Sequence, residues 1–217
     1  MLSAGMMGAF TYIVRGGVFC NAQTANFVMM AAAFGQGKWQ SGFYYLIPIT
    51  AYLSGTIISE ILPSPIKRLG ILRWDTYLIG FEILVLFIVG CLPLTIPDQI
   101  VHISINFIAS MQYNTFRQAE GEPMATTFCT NHIRQTGVGF AKYLRKGDKN
   151  ALITGLKHLK MIAVFFLGGA IMSVFSHFAG IHSIWIAIIP LGIIFVILTY
   201  ADLVPEHDAL DKKPTGH

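Results

Sequence analysis

Residues 14–27 read VRGGVFCNAQTANF, from Val14 to Phe27. They interrupt an apolar region that runs from Leu2 to Phe34. As one unbroken helix that region would be roughly 50 Å long, against about 30 Å for a bilayer's hydrocarbon core. Arg15, Gly16 and Gly17 stand in its middle, followed by Asn21, Gln23, Thr24 and Asn26. A second region, Ile100 to Tyr143, has the same plan. Its interruption is Arg117 through Pro123, RQAEGEP, with polar residues around it from Gln112 to His132. Four cleaner apolar runs complete the pattern: Tyr44 to Leu62, Tyr77 to Leu92, Met161 to Phe178, and Ile184 to Tyr200.

The bulk numbers agree with a chain that lives in lipid. Hydrophobic residues make up 54% of the sequence and charged residues 12%, about half the roughly 25% typical of a soluble domain. Mean hydropathy is +0.60. A water-soluble globule of 217 residues has too much surface for its volume to hide that apolar area. A soluble enzyme, a nucleic-acid binder and a disordered chain are therefore excluded. Cys20, Cys91 and Cys129 have no metal-ligand spacing. Met1 to Phe10 lacks the basic start of a cleaved signal. No nucleotide loop, nucleophile elbow or metal-ligand cluster is present. Neither enzymatic activity nor a cofactor or metal is expected.

Each interrupted region is either two full spans or one span built from two half-helices. Charge decides between them. Eleven of the 15 basic residues are Lys67, Arg68, Arg73, Lys142, Arg145, Lys146, Lys149, Lys157, Lys160, Lys212 and Lys213. If each interrupted region crosses once, all of these face the cytoplasm, as the positive-inside bias requires, and Lys38 faces out. The expected fold is an all-α membrane protein with six crossings and both termini cytosolic. Residues 1–93 and 94–202 then form two three-helix repeats, each led by a discontinuous helix, and 203–217 form a cytosolic tail. Three is odd, so the second repeat is inverted relative to the first, an arrangement common among secondary transporters.

A backbone break at membrane depth survives only against protein or a wet cavity, because each unsatisfied backbone group in lipid costs several kcal/mol. Half-helices starting near Asn21 and Pro123 would aim their positive ends at the protein middle. The candidate binding residues are Gln23, Thr24, Asn26, Arg117, Thr127, Thr130 and Asn131. Arg15 and Arg117 sit at breaks, where each either holds an anion or pairs with an acid: Glu82 for both, and Glu120 or Glu122 for Arg117. Glu82, inside the third crossing, and His132 are candidates for carrying a coupled proton. His102 and Asn106 are placed to line the same cavity. Small residues at Ala31 to Ala33, Ser54 with Gly55, and Gly168-Gly169-Ala170 serve either helix packing within the chain or a homodimer face. The function this describes is a small secondary transporter or channel-like permease for a small anion or polar metabolite. The alternative is a non-transporting scaffold or partner-binding subunit.

Gly16-Gly17-Val18-Phe19, followed by Asn21 through Asn26, resembles the first signature of the YoaK-type bacterial membrane proteins, a family of unknown function. Gln112 through Arg117 and Thr126 through Thr130 resemble the second. The Gly37-Lys38-Trp39 turn and Tyr45-Leu46-Ile47-Pro48 extend the likeness over nearly the whole chain. The family usually has Thr-Gly-Asn at both breaks, where this chain has Thr24-Ala25-Asn26 and Thr130-Asn131-His132. It also commonly has an acidic residue where Gly8 stands. The resemblance implies a bacterial inner-membrane protein with six crossings and brings no substrate with it.

Overall fold

The computed structural model describes residues 1–119 and 122–204. Most of them are helical. Helix α1 (Leu2–Ile13) and helix α2 (Gln23–Gly35) flank the first break. A short α3 (Trp39–Tyr44), then α4 (Leu46–Ile61) and α5 (Pro63–Lys67) follow almost without interruption. Helix α6 (Trp74–Cys91) precedes α7 (Asp98–Thr115). The second break separates α7 from α8 (Thr130–Lys146). Helix α9 (Lys149–Ala179) passes through a 3-10 segment (Gly180–Ala187) into α10 (Ile188–Leu203).

Among the described residues, three helical runs are long and apolar enough to cross a membrane: Trp39–Lys67, Trp74–Cys91 and Lys149–Leu203. Both interrupted regions are broken, as their glycine and polar runs predict, but not where a simple kinked rod would break. Pro123 does not open a helix. Glu122–Pro123 instead pairs antiparallel with Gln118–Ala119, and α8 starts only at Thr130. The first helix after the other break starts at Gln23. The tail beyond Val204 and residues Glu120 and Gly121 lie outside the described residues.

Burial is inverted relative to a soluble protein. Phe166 and Phe178 on α9 are 76% and 80% exposed, and Val196 and Ile197 on α10 face outward with them. Arg15, Glu82, Asn106 and His132 are 0% exposed. Apolar outside and polar inside suits a chain whose solvent is hydrocarbon, where nothing is gained by hiding leucines and much is lost by exposing a charge. Six polar or small residues of α7 (His102, Asn106, Ala109, Ser110, Gln112, Thr115) turn inward, which is why α7 is long enough to cross yet not apolar enough to count by composition alone.

Helices α1 and α9, and α4 and α7, make the closest crossings. Small residues permit both. A methyl added to Gly5 would overlap the Phe165 carbonyl, and one on Gly168 the Leu2 carbonyl. One on Gly55 would overlap the Phe107 carbonyl and Ser110 Oγ. Gly55 and Gly168 are thus used within the chain. Helices α4 and α7 run side by side in the same direction. Tyr44 meets His102 at one end, and Ser59 and Glu60 meet Asn114 and Arg117 at the other. Helix α6 is clasped to α10, where the Asp202 carboxylate accepts from the Arg73 backbone N–H (3.0 Å) and the Thr76 hydroxyl (2.7 Å). The apolar core between these elements contains Phe10, Ile79, Leu86, Val101, Ile105, Ile108, Met172 and Leu191.

Candidate functional site

The first break is built by glycine. Gly16 and Gly17 have φ of 75° and 76°, the left-handed region that side chains other than glycine adopt only at a cost. The chain reverses there and runs back along α1. Asn21 ends beside Gly8 and donates to the Ala4 carbonyl at 3.3 Å. The same Asn21 amide donates to the Thr127 carbonyl at 2.8 Å. The two breaks, far apart in sequence, therefore meet through one side chain.

A polar chain leads from this contact into α7. Gln23 Nε2 donates to the Cys20 carbonyl and to Asn106 Oδ1, and Asn26 Nδ2 donates to Gln23 Oε1 at 3.0 Å. Asn106 donates in turn to the His102 carbonyl at 2.7 Å. His102 Nε2 bonds the Arg15 carbonyl, and a carbonyl only accepts, so that nitrogen carries the proton. His102 Nδ1 then accepts from the Tyr44 hydroxyl at 3.2 Å. The ring is fixed as one neutral tautomer. Gln23, Asn26, His102 and Asn106 form one connected network around the start of α2.

The other expected residues are placed as follows. Thr24 and Thr130 are exposed on the first turns of their helices. Thr127 is fully buried, with its hydroxyl beside that of Tyr52. Asn131 accepts from Arg134 at 3.2 Å. Glu82 is buried in α6, and neither carboxyl oxygen has a hydrogen-bond partner. The start of α1 lies within electrostatic reach of both Glu82 and Cys129. No arginine is paired with Glu82.

Both arginines are committed elsewhere. Arg15 reaches the turn after α6, where it donates to the Leu92 and Pro93 carbonyls and approaches Asp98 at 3.5 Å. Arg117 lies at the opposite end of the bundle. It pairs with Glu60 at 2.7 Å, with both side chains more than half exposed, and also holds the Asn114 carbonyl. Glu120, its expected partner, lies outside the described residues, as does the side chain of Glu122.

One pair escaped the sequence reading. His132 Nε2 bonds the Ala125 carbonyl at 2.7 Å, and its Nδ1 faces His158 Nδ1 at 2.8 Å. His132 Nε2 must be the donor to that carbonyl, so in the neutral pair His158 Nδ1 donates to His132 Nδ1. This ties α8 to α9. The signal was present in the spacing. His132, Thr136 and Gly139 form a small, polar stripe at i, i+4 and i+7, and Gly155 and His158 form its match three residues apart. Gly139 packs on Gly155, and the Thr136 hydroxyl donates to the Gly155 carbonyl at 3.3 Å.

Comparison with known proteins adds the family and nothing chemical. The model of the family described as protein of unknown function (DUF1275) matches residues 1–197, and the chain belongs to that family. No curated protein and no solved structure gives a significant match.

Proposed function

We propose that this member of the DUF1275 family is a small secondary transporter or channel-like permease for a polar solute, with its site where the two breaks meet. The observation that carries the reading is the Asn21 bond to the Thr127 carbonyl, which joins two irregular segments from opposite halves of the chain. Irregular backbone at membrane depth is the usual material of transporter sites. The packing supports an inverted repeat. Exchanging α1 with α7, α9 with α4 and α10 with α6 maps two of the main crossings onto one another, while the extensive α8–α9 contact has only a small counterpart in α2–α4. The tight α1–α9 contact becomes the tight α7–α4 contact, and α6–α10 becomes itself. Six crossings follow if α1–α2 and α7–α8 each count once. The first-half signature keeps its likeness to the YoaK-type bacterial proteins, and a bacterial inner-membrane location with cytosolic termini goes with that.

In this reading Gln23, Asn26 and Asn106 are the amides that greet a solute, with Thr24, Thr127, Thr130 and Asn131 at the helix starts. The Asn21 contact is the closure that a solute must part. Arg15 and Arg117 are engaged at the two ends, so the site offers a solute amides, hydroxyls and one carboxyl rather than a guanidinium. The sequence-based choice between anion and polar metabolite therefore narrows to the second. The scaffold reading draws on one observation: the amides at the first break already satisfy each other.

A thermal-shift screen of the purified protein against small polar metabolites tests the proposal, followed by uptake of each hit into proteoliposomes. Saturable uptake that an Asn21→Leu variant alters supports a permease. Stabilising ligands without uptake point to the scaffold. Reporter fusions at Lys38 and Lys146 test the topology, with Lys38 expected outside and Lys146 inside; an external Lys146 removes the inverted repeat.

A further inference from the structure

Buried oxygens are left without partners along α6, α7 and the second break. They are both carboxyl oxygens of Glu82, the hydroxyl of Thr126 and the amide oxygen of Gln112. The carboxyl is the strongest acceptor among them, the amide oxygen only accepts, and the hydroxyl can accept or donate. Thr126 belongs to the break, Gln112 to the end of α7 that leads into it, and Glu82 to α6, which packs on α7. Buried acceptors left open call for a donor, because an unsatisfied buried polar atom costs about 1–3 kcal/mol.

The basic side chains do not supply that donor. Arg15 is held by Asp98 and the Leu92 and Pro93 carbonyls, Arg73 by Asp202, and Arg117 by Glu60. His102 and His132 have both ring nitrogens engaged. The charge that reaches Glu82 among the described groups is the amine of Met1, which makes no hydrogen bond to it. An anion placed beside Glu82 would meet its carboxyl, with no cationic side chain among the described residues bonded to it. A metal ion would need several converging oxygens or nitrogens, and no cluster of three or more metal-binding side chains occurs among the described residues.

We propose that Glu82 is an exchange site at which a small organic cation of the ammonium type replaces a proton, a substrate class that rests on the permease reading of the same region. With the site empty, the carboxyl is neutral and carries its proton, since an unpaired carboxylate is too costly in an apolar interior. When the cation enters, that proton leaves to solvent. The carboxylate then pairs with the ammonium, whose N–H groups satisfy its two open oxygens. No covalent bond forms or breaks apart from the O–H of the carboxyl, and one positive charge replaces another. Because the site's charge is the same before and after, the exchange proceeds without an uncompensated charge at membrane depth.

The test uses the full chain, purified in detergent in weakly buffered solution with a pH indicator. Methylammonium, ethylammonium and diethylammonium chlorides, which all keep N–H donors, are the probes and sodium chloride is the control. The expected result is saturable, stoichiometric proton release with at least one ammonium probe and none with sodium. Glu82→Gln abolishes the release and weakens binding of that probe by calorimetry at least roughly tenfold. Glu82→Asp, which keeps the carboxyl, retains the release, and monodisperse elution with unchanged helicity certifies both variants as folded. Absence of release with all three probes overturns the proposal, as does undiminished release from folded Glu82→Gln. Release without uptake in proteoliposomes keeps the exchange site and removes the permease. Uptake of a neutral solute with no proton release keeps the permease and removes the exchange site.

Discussion

Helix α8 carries two glycines, one on each side, and they make opposite predictions. A methyl on Gly139 would lie 2.5 Å from the Ala151 carbonyl oxygen and 2.8 Å from Gly155 Cα. Ordinary contacts between such atoms are about 3.5–4.0 Å, so α8 must lift from α9 by roughly 1 Å. Both obstacles are backbone and cannot swing aside. Overpacking of that kind costs about 1–3 kcal/mol, from which the better helix propensity of alanine returns up to about 1 kcal/mol. A methyl on Gly137 meets nothing within 4 Å. There only the propensity term acts, and Gly137→Ala stabilises by up to about 1 kcal/mol. The two variants should therefore differ by about 2 kcal/mol, roughly thirtyfold in the unfolding equilibrium. Unfolding in mixed micelles of increasing SDS fraction, followed by circular dichroism, measures it. Lifting α8 also lengthens the His132–His158 bond of 2.8 Å, so hydrogen exchange across residues 151–158 should rise in Gly139→Ala alone. If Gly139→Ala proves as stable as Gly137→Ala, α8 does not dock on α9 by this face and the pairing of the two histidines falls with it.

Other perturbations act at the ends and the middle of the bundle. Asn21→Leu leaves the Thr127 and Ala4 carbonyls without their donor and should cost about 1–3 kcal/mol in the same assay, with faster hydrogen exchange over residues 124–129; an unchanged midpoint would show that the breaks are not joined there. Arg15→Gln removes a fully buried guanidinium from the Leu92 and Pro93 carbonyls, and a loss of about 3 kcal/mol is expected, because hydrogen bonds to charged groups are worth about 1.5–3 kcal/mol each. The Glu60–Arg117 pair is 2.7 Å long but 69% and 56% exposed. A double-mutant cycle on it should give a coupling below about 1 kcal/mol that fades further in salt, and a larger value would mean the pair is shielded in the membrane-bound protein.

Much of this architecture was legible from residue patterns. The apolar runs located α4, α6, α9 and α10, because period and length are local properties that burial in lipid exaggerates. Both breaks were legible too, from Gly16-Gly17 and from the polar run Arg117 to Pro123, although α7 carries its helix through Gln112 to Thr115 before it ends. What the pattern could not give was the path of the chain inside each break. Gly16 and Gly17 permit a reversal without dictating it, and Asn21 beside Ala4 is decided by packing. Pro123 suits a helix start as well as it suits the short ladder it actually joins. Arg117 illustrates the same limit. Its nearest acids in sequence were Glu120 and Glu122, yet Glu60 is its partner because α4 and α7 run in parallel and end together. Glu82 was conspicuous from the start, but that its oxygens face no donor is a fact of three dimensions.

The reversal at Gly16-Gly17 has a mechanical consequence. A kinked rod transmits torque along its whole length, so tilting one half drags the other. Here α1 is seated in the groove of α9, while α2 hangs from it by a doubled-back strand. The second region departs from that design: α7 is seated on α4, but α8 is pinned to α9 by the Gly139–Gly155 contact and the His132–His158 pair. A tilt of α2 is therefore uncoupled from α1, whereas a tilt of α8 must carry α9 with it.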